Sequence, residues 1–390
     1  MTLKLSNHIT VLPVLIIAIC NIHAADKTFD IKATTTEAQG GVPHACTSAI
    51  NTGTVTEGSA EVKGDSNSGD CRENSLSIMH LNVWKDAKVG KTGFSEVISE
   101  VDRVDPDIVM FSEAHNREDD FYLPAFLDSL KVRGKTYYGI GSGLDVQMVS
   151  KYPVIEQEHI VEQQNGSMRS ILDINGRKAA VYTAHLDYTH YECYLPRGYS
   201  GTTWKKIDAP VTDTDVIMKA NDESYRDDAI RLIIEDAKSR DVDLILLGGD
   251  FNEPSHLDWG EDTRNLWDHN GAVVPWSCSS LLYEAGFRDA YREKYPDPKT
   301  HPGFTFPSDN SSQPVSKLTW APEADERDRI DFIYFMPTEG LCVTDAIIVG
   351  PAGSIVRGER IQEQTMDIFS EPSGLWPSDH KGVLIKFKYH

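Results

Sequence analysis

From about residue 76 onward, short apolar runs alternate with turn residues, and several runs end on a single acid, amide or imidazole. The runs predict strands over 76–81, 107–111, 146–150, 170–174, 178–183, 243–247, 330–335 and 383–387. Between the fourth and fifth of these lies Asn175-Gly176, a two-residue hairpin signal, because both residue types tolerate positive φ. Helical periodicity is clearest over 222–240, with Ile230, Leu232, Ile233, Ile234 and Ala237 on one apolar face. Shorter helical patterns cover 94–101 and 123–130. Strands and helices mix without strict βαβ alternation. That mixture predicts an α/β fold with two packed mixed β-sheets flanked by helices.

The chain opens differently. Lys4, an apolar run from Val11 to Cys20 and the small pair Ala24-Ala25 form a signal-peptide pattern over 1–24, which implies a secreted or periplasmic protein. That run is too short to span a bilayer, and no later segment is long and apolar enough. Residues 25–74 are rich in Thr, Ser and Gly and are expected to form a flexible leader, which leaves 75–390 as the catalytic domain. The formal net charge is −22 with no basic stripe, which counts against tight nonspecific binding of nucleic acid. After processing, Cys46, Cys71, Cys193, Cys278 and Cys342 remain, and their spacing fits no zinc motif. Export makes disulfides available: Cys46–Cys71 and Cys193–Cys278 are the candidate pairs, with Cys342 as the buried free thiol. Sequons stand at Asn165 and Asn310.

The densest motif is Gly248-Gly249-Asp250-Phe251-Asn252 after an apolar run. Side chains at i and i+2 of a strand share a face, so an acid and an amide are delivered together, with glycines that let the backbone turn or a ligand approach. Asn82, Glu113, His185 and the pair Asp379-His380 also flank apolar strands. Asp331 lies inside an apolar strand, where a carboxylate is costly unless paired; an ion pair with Arg329 is the structural alternative.

In this order HLNVW, DIVMFSEAH, TAHLDY, LLGGDFNEP, RIDFIYF and PSDHKGVLIKF resemble the endonuclease/exonuclease/phosphatase superfamily, supported by VSKYPV, RDAYR and GFTF. The resemblance covers nearly all of the chain from residue 76 onward. It implies a four-layer α/β sandwich, attack on phosphorus and a divalent cation, usually magnesium, with manganese or calcium as other candidates. By the same resemblance Glu113, Asn82 and Asp379 would serve the metal. Asp250 would orient or deprotonate water, and Asn252 would donate to a phosphate oxygen. Asp331 and His380 would pair, and His185 would contact the phosphate or the leaving oxygen. Asp250 and His380 both remain candidates for the base. Ser112 departs from the usual Gln before the metal Glu, His115 stands close enough to be a further ligand, and Trp84 occupies a position that some nucleases give to a carboxylate.

The segment after His185 is aromatic: Tyr188, Tyr191, Tyr194, Tyr199 and Trp204, with Arg197 and Lys205-Lys206. It reads as a substrate wall, with Tyr191 and Tyr194 gripping the organic group and Arg197 clamping a second phosphate, or else as a loop held by its own packing. The leading expectation is an exported metal-dependent phosphoesterase acting on a small molecule or lipid headgroup. An extracellular nuclease is the alternative. A non-catalytic binding module should have lost part of the site set, which is intact. A membrane-surface enzyme would need an exposed apolar hairpin, for which 267–283 is the candidate stretch.

Overall fold

The computed structural model describes residues 74–88, 93–115, 121–162 and 166–389. The signal segment, nearly all of the leader, Cys46, Cys71 and the Asn165 sequon position lie outside them. Two six-stranded mixed sheets dominate. The first contains β1 (Asn74–Asn82), β2 (Ile108–Ser112), β3 (Gln147–Ser150), β10 (Cys342–Val349), β13 (Phe369–Ser370) and β14 (Gly382–Tyr389), in the order β13-β10-β14-β1-β2-β3. The second contains β4 (Val154–Val161), β5 (Ser167–Ile174), β6 (Arg177–His185), β7 (Leu244–Asp250), β8 (Arg288–Asp289) and β9 (Asp331–Phe335), in the order β4-β5-β6-β7-β9-β8. A small hairpin pairs β11 (Gly353–Val356) with β12 (Glu359–Gln362).

Strand alternation builds the layers. Leu76 and Ile78 of β1, Ile108 and Met110 of β2 and Ile385 of β14 join Val181 and Leu246 in a core between the sheets. The intervening residues Met79, Leu81, Val109 and Phe111 face outward, onto a second core with α1 (Gly93–Val104) and α2 (Leu123–Val132). On the far side, Ala180, Tyr182 and Leu247 pack against α4 (Arg226–Lys238) and α5 (Ser277–Ala285). The order is therefore helices, sheet, sheet, helices, the four-layer sandwich. Two further helices are α6 (Ala290–Lys294), which packs into the core between the sheets, and α3 (Thr214–Asn221), whose Ile217 packs with Tyr191, Tyr194 and Trp276. Among the described residues no helix is long and apolar enough to cross a membrane.

The Asn175-Gly176 turn joins β5 and β6 with φ of 55° and 87°, the double positive that a two-residue hairpin turn requires. Other local expectations are corrected. The helix predicted from residue 222 is a 3₁₀ turn, Asp222–Ser224, followed by α4, and Leu232 faces solvent because Ile230, Ile233 and Ala237 already form the buried stripe. Gly248-Gly249 do not end their strand. β7 continues through Asp250, and a Cβ on Gly248 would lie 2.2 Å from Met110 Cε of the facing sheet. Absence of a side chain lets the two sheets close together just below the site.

Cys193 and Cys278 are both buried free thiols, so they are not the expected pair, and Cys342 is not among the free cysteines. Asn310 is buried and its carboxamide oxygen accepts from Ser312, so its sequon is closed in the fold. In the 267–283 stretch Val274, Trp276 and Leu282 are buried, which is core packing rather than an exposed hairpin.

Candidate active site

Register places the site. His185 at the end of β6 is paired with Asp250 of β7, and Asp250 is paired with Asp331 of β9. Three chemical side chains thus stand in a row across one sheet end. In the other sheet Asn82 pairs with Ser112, Glu113 follows directly, and Asp379-His380 lead into β14. The two ends meet: Asn82 Nδ2 donates to Asp250 Oδ2 at 2.9 Å and to Glu113 Oε1 at 3.1 Å. Asn82 Oδ1 accepts from the Trp84 amide at 2.8 Å, so the carboxamide is fixed at both ends and its NH₂ bridges the two acids. Glu113, at φ 54°, also accepts from the Lys85 amide at 2.7 Å.

Asp250 sits between two imidazoles, 3.7 Å from His380 Nε2 and 3.9 Å from His185 Nε2. His380 Nδ1 lies 2.9 Å from Asp331 Oδ2. His185 Nδ1 lies 2.6 Å from Asp145 Oδ2. Burial alone pulls both rings toward neutrality, but the carboxylates outweigh it: Asp331 and Asp250 push His380 well up, and Asp145 carries His185 up to about 9. Asp331 answers in the opposite sense, its burial penalty overcome by His380 and His80, and it is held well below the usual carboxylate range. Asp250 is raised, chiefly by burial, with the nearby cations only partly compensating. Asp250 therefore has an imidazole on either side, each drawn toward its charged form by the carboxylate on its far nitrogen.

Asp250, Asp331 and His380 lie close enough to hold a metal by distance alone. Asp331 gives Oδ2 to His380, while its Oδ1, 3.2 Å from His80 Nδ1, makes no hydrogen bond. Glu113 and Asp379, the carboxylates expected to serve a metal, line the same cavity. Asp379 Oδ1 is buried without a hydrogen-bond partner, and burial, with the Glu113 charge adding to it, raises the Asp379 carboxyl to about 7. Two hard carboxylates short of positive charge suit magnesium or a similar divalent cation.

These groups line a cavity of about 500 Å³ together with Asn252, whose backbone amide donates to Asp250 Oδ1 at 2.9 Å and whose Nδ2 donates to the Leu186 carbonyl. Tyr191 and Tyr194 line it as well. Arg197 does not. It is buried behind the wall, bonded to Asp328 Oδ2 at 2.5 Å and to the Asp325 and Arg327 carbonyls, and its guanidinium lies over Trp259. A guanidinium so paired is a structural bolt, not a phosphate clamp. Arg329 likewise bonds Asp258 and Asp289, not Asp331.

Sequence reasoning passed over four contributors. Asp145 lies just before a predicted strand and orients His185. Lys85, at the start of a short 3₁₀ turn, and Trp320, in a loop, line the cavity. His80 is fully buried, with Nε2 3.0 Å from Ser112 Oγ and Nδ1 facing Asp331. A polar residue inside an apolar strand singled out Asp331, and the same signal was available for His80.

A family model described as the Endonuclease/Exonuclease/phosphatase family matches residues 79–380, which contain every site residue above. The chain belongs to this family. An uncharacterized protein of Caenorhabditis elegans, F14F9.5, is 27% identical over 270 residues, 67% of this chain and 79% of that protein. Among solved structures, D. rerio TDP2 complexed with a single-strand DNA product is 16% identical, covers 80% of this chain and 98% of its own, and aligns with a TM-score of 0.46. A family protein of Bacteroides thetaiotaomicron is 14% identical, covers 82% and 99%, and also aligns at 0.46.

Proposed function

We propose that the protein is an exported, divalent-metal-dependent phosphoesterase that cleaves a phosphate ester by attack of an activated water. The observation that carries this reading is Asp250: a buried carboxyl held between the His185 and His380 rings, tied through Asn82 to Glu113, at the wall of an open cavity. Glu113 and Asp379 would hold the cation, which would neutralise charge on the phosphoryl oxygens. Asp250 then orients and deprotonates the water, because the His380 ring is committed through Nδ1 to Asp331, which draws it toward its charged form. His380 and Asn252 donate to non-bridging oxygens, and His185, kept charged by Asp145, donates to the leaving oxygen. Export is supported by the signal pattern of residues 1–24. The leading substrate is a small molecule or lipid headgroup; a nuclease remains the competing reading within the same chemistry.

A panel of bis-p-nitrophenyl phosphate, p-nitrophenyl phosphate, inositol phosphates, sphingomyelin and plasmid DNA, each with magnesium or with EDTA, tests this. Turnover of a small ester that EDTA abolishes and magnesium restores is expected. Plasmid cutting without small-ester turnover promotes the nuclease, and a folded protein inert on every substrate sinks the enzyme reading.

A further inference from the structure

The cavity has two unlike ends. Its charged end is the site described above. Its other end is a wall of rings contributed by segments far apart in sequence. Trp204 is the middle of a shelf: Tyr188 lies parallel to it within 6°, with centroids 6.1 Å apart, and Trp320 leans on it at 40° and 5.4 Å. Tyr188 and Trp320 are 55% and 44% exposed, so large aromatic faces stand in water at the cavity mouth. Below them the Tyr191 hydroxyl is buried with no hydrogen-bond partner stronger than the neighbouring Cys193 thiol.

The composition of the wall decides what would lie on it. Among the described residues lining the cavity, seven are Trp, Tyr or Phe, and one, Ile330, is aliphatic. An acyl chain is gripped by flexible aliphatic side chains that close around it, whereas flat faces favour a flat ligand. Lys85 is the one lysine or arginine among those lining residues; Arg197 is spent on Asp328, and the exposed Lys205 follows Trp204 directly without lining the cavity. Among the described lining residues that leaves Lys85 as the one lysine or arginine to meet a phosphate beyond the charged end.

We propose that the organic group esterified to the phosphate is a single planar ring stacked on the Tyr188–Trp204–Trp320 shelf. The proposal rests on the phosphoesterase reading for the position of that phosphate. Non-hydrolysable phosphonates separate the two. In calorimetric titrations of the full chain with magnesium, phenylphosphonate should bind at least about tenfold more tightly than methylphosphonate, the scale of one ring stacked on aromatic side chains, and more tightly than hexylphosphonate. Trp320→Ala and Tyr188→Ala, both at exposed positions that the fold tolerates, should each shrink the phenyl-to-methyl ratio severalfold. No phenyl preference, including no binding of any of the three, overturns the proposal. So does hexylphosphonate equal to phenylphosphonate, or a ratio that Trp320→Ala leaves intact. Turnover of phenyl p-nitrophenyl phosphate and methyl p-nitrophenyl phosphate is measured alongside. A phenyl preference in binding with neither ester cleaved keeps the shelf and removes the hydrolase; cleavage of both without preference does the reverse.

Discussion

Arg329 and His380 are both buried cations facing carboxylates, and their surroundings are built to opposite ends. Arg329 bonds Asp258 and Asp289 at 3.0 and 2.6 Å, Arg292 takes the other oxygen of Asp258 at 2.6 Å, and Asp289 also caps α6. Two guanidiniums meet two carboxylates, and the space beside them is about 10 Å³. Around His380 the acids Glu113, Asp145, Asp250, Asp331 and Asp379 outnumber the two raised imidazoles, and the space is about 500 Å³. A structural ion network completes itself. This site is left short of positive charge and open, which is what a cation and a phosphate would fill. The carboxyls of Asp250 and Asp379 are raised chiefly by their burial, with the nearby positive groups only partly offsetting it.

Substitutions can break this contrast from both sides. The largest effects should come from one residue in each cluster. Asp250→Asn should lower turnover by about a hundredfold or more, while a thermal melt shows equal or higher stability, because burial disfavours the charge it removes. Arg329→Met should do the opposite, costing about 3–5 kcal/mol in denaturant unfolding by stranding two buried acids, with turnover per folded molecule retained. If Arg329→Met silences a folded protein, the division between the clusters is wrong.

A smaller effect is expected one step back from the chemistry. His80→Phe leaves Asp331 Oδ1 without the imidazole it faces, so steady-state kinetics should show a kcat loss of about ten- to a hundredfold with KM little changed. A pure stability loss with normal kcat would make His80 a packing residue. The smallest effect concerns His185. Its folded value of about 9 exceeds the ordinary imidazole value, so the charge persists at neutral pH, and activity should fall as pH rises through about 9. The ion pair with Asp145 contributes stability that is complete below about pH 6.5 and lost on the same alkaline limb. Asp145→Asn should move that limb in a pH–rate profile to lower pH by about one unit or more.

What was legible in the sequence follows from the physics of contiguous pattern. Asn82, Glu113, His185, Asp250 and His380 sit at the ends of apolar runs, and a strand end fixes where its next side chain emerges, so the sheets and most of the site could be read in advance. Partners chosen across the fold could not. Asp145 reaches His185 from a loop 40 residues away, and Arg197 turned inward because Asp328, 131 residues later, was waiting for it. An arginine in an aromatic loop looks the same whether it faces a cavity or a buried acid. Trp320 joins the shelf from a loop with no periodic signal at all. Gly248 looked like a turn because spacing cannot distinguish a chain reversal from a place where another sheet must come close.

The central claim is that Asp250 takes the proton from water because His380 already carries one. Nitrogen-resolved NMR of the His380 ring in the folded full chain reads this directly, with His380→Gln used to assign the signal. Both ring nitrogens should be protonated at neutral pH, with the Nδ1 proton far downfield in its bond to Asp331. A ring with one bare nitrogen at neutral pH would contradict the account and hand the role of base to His380.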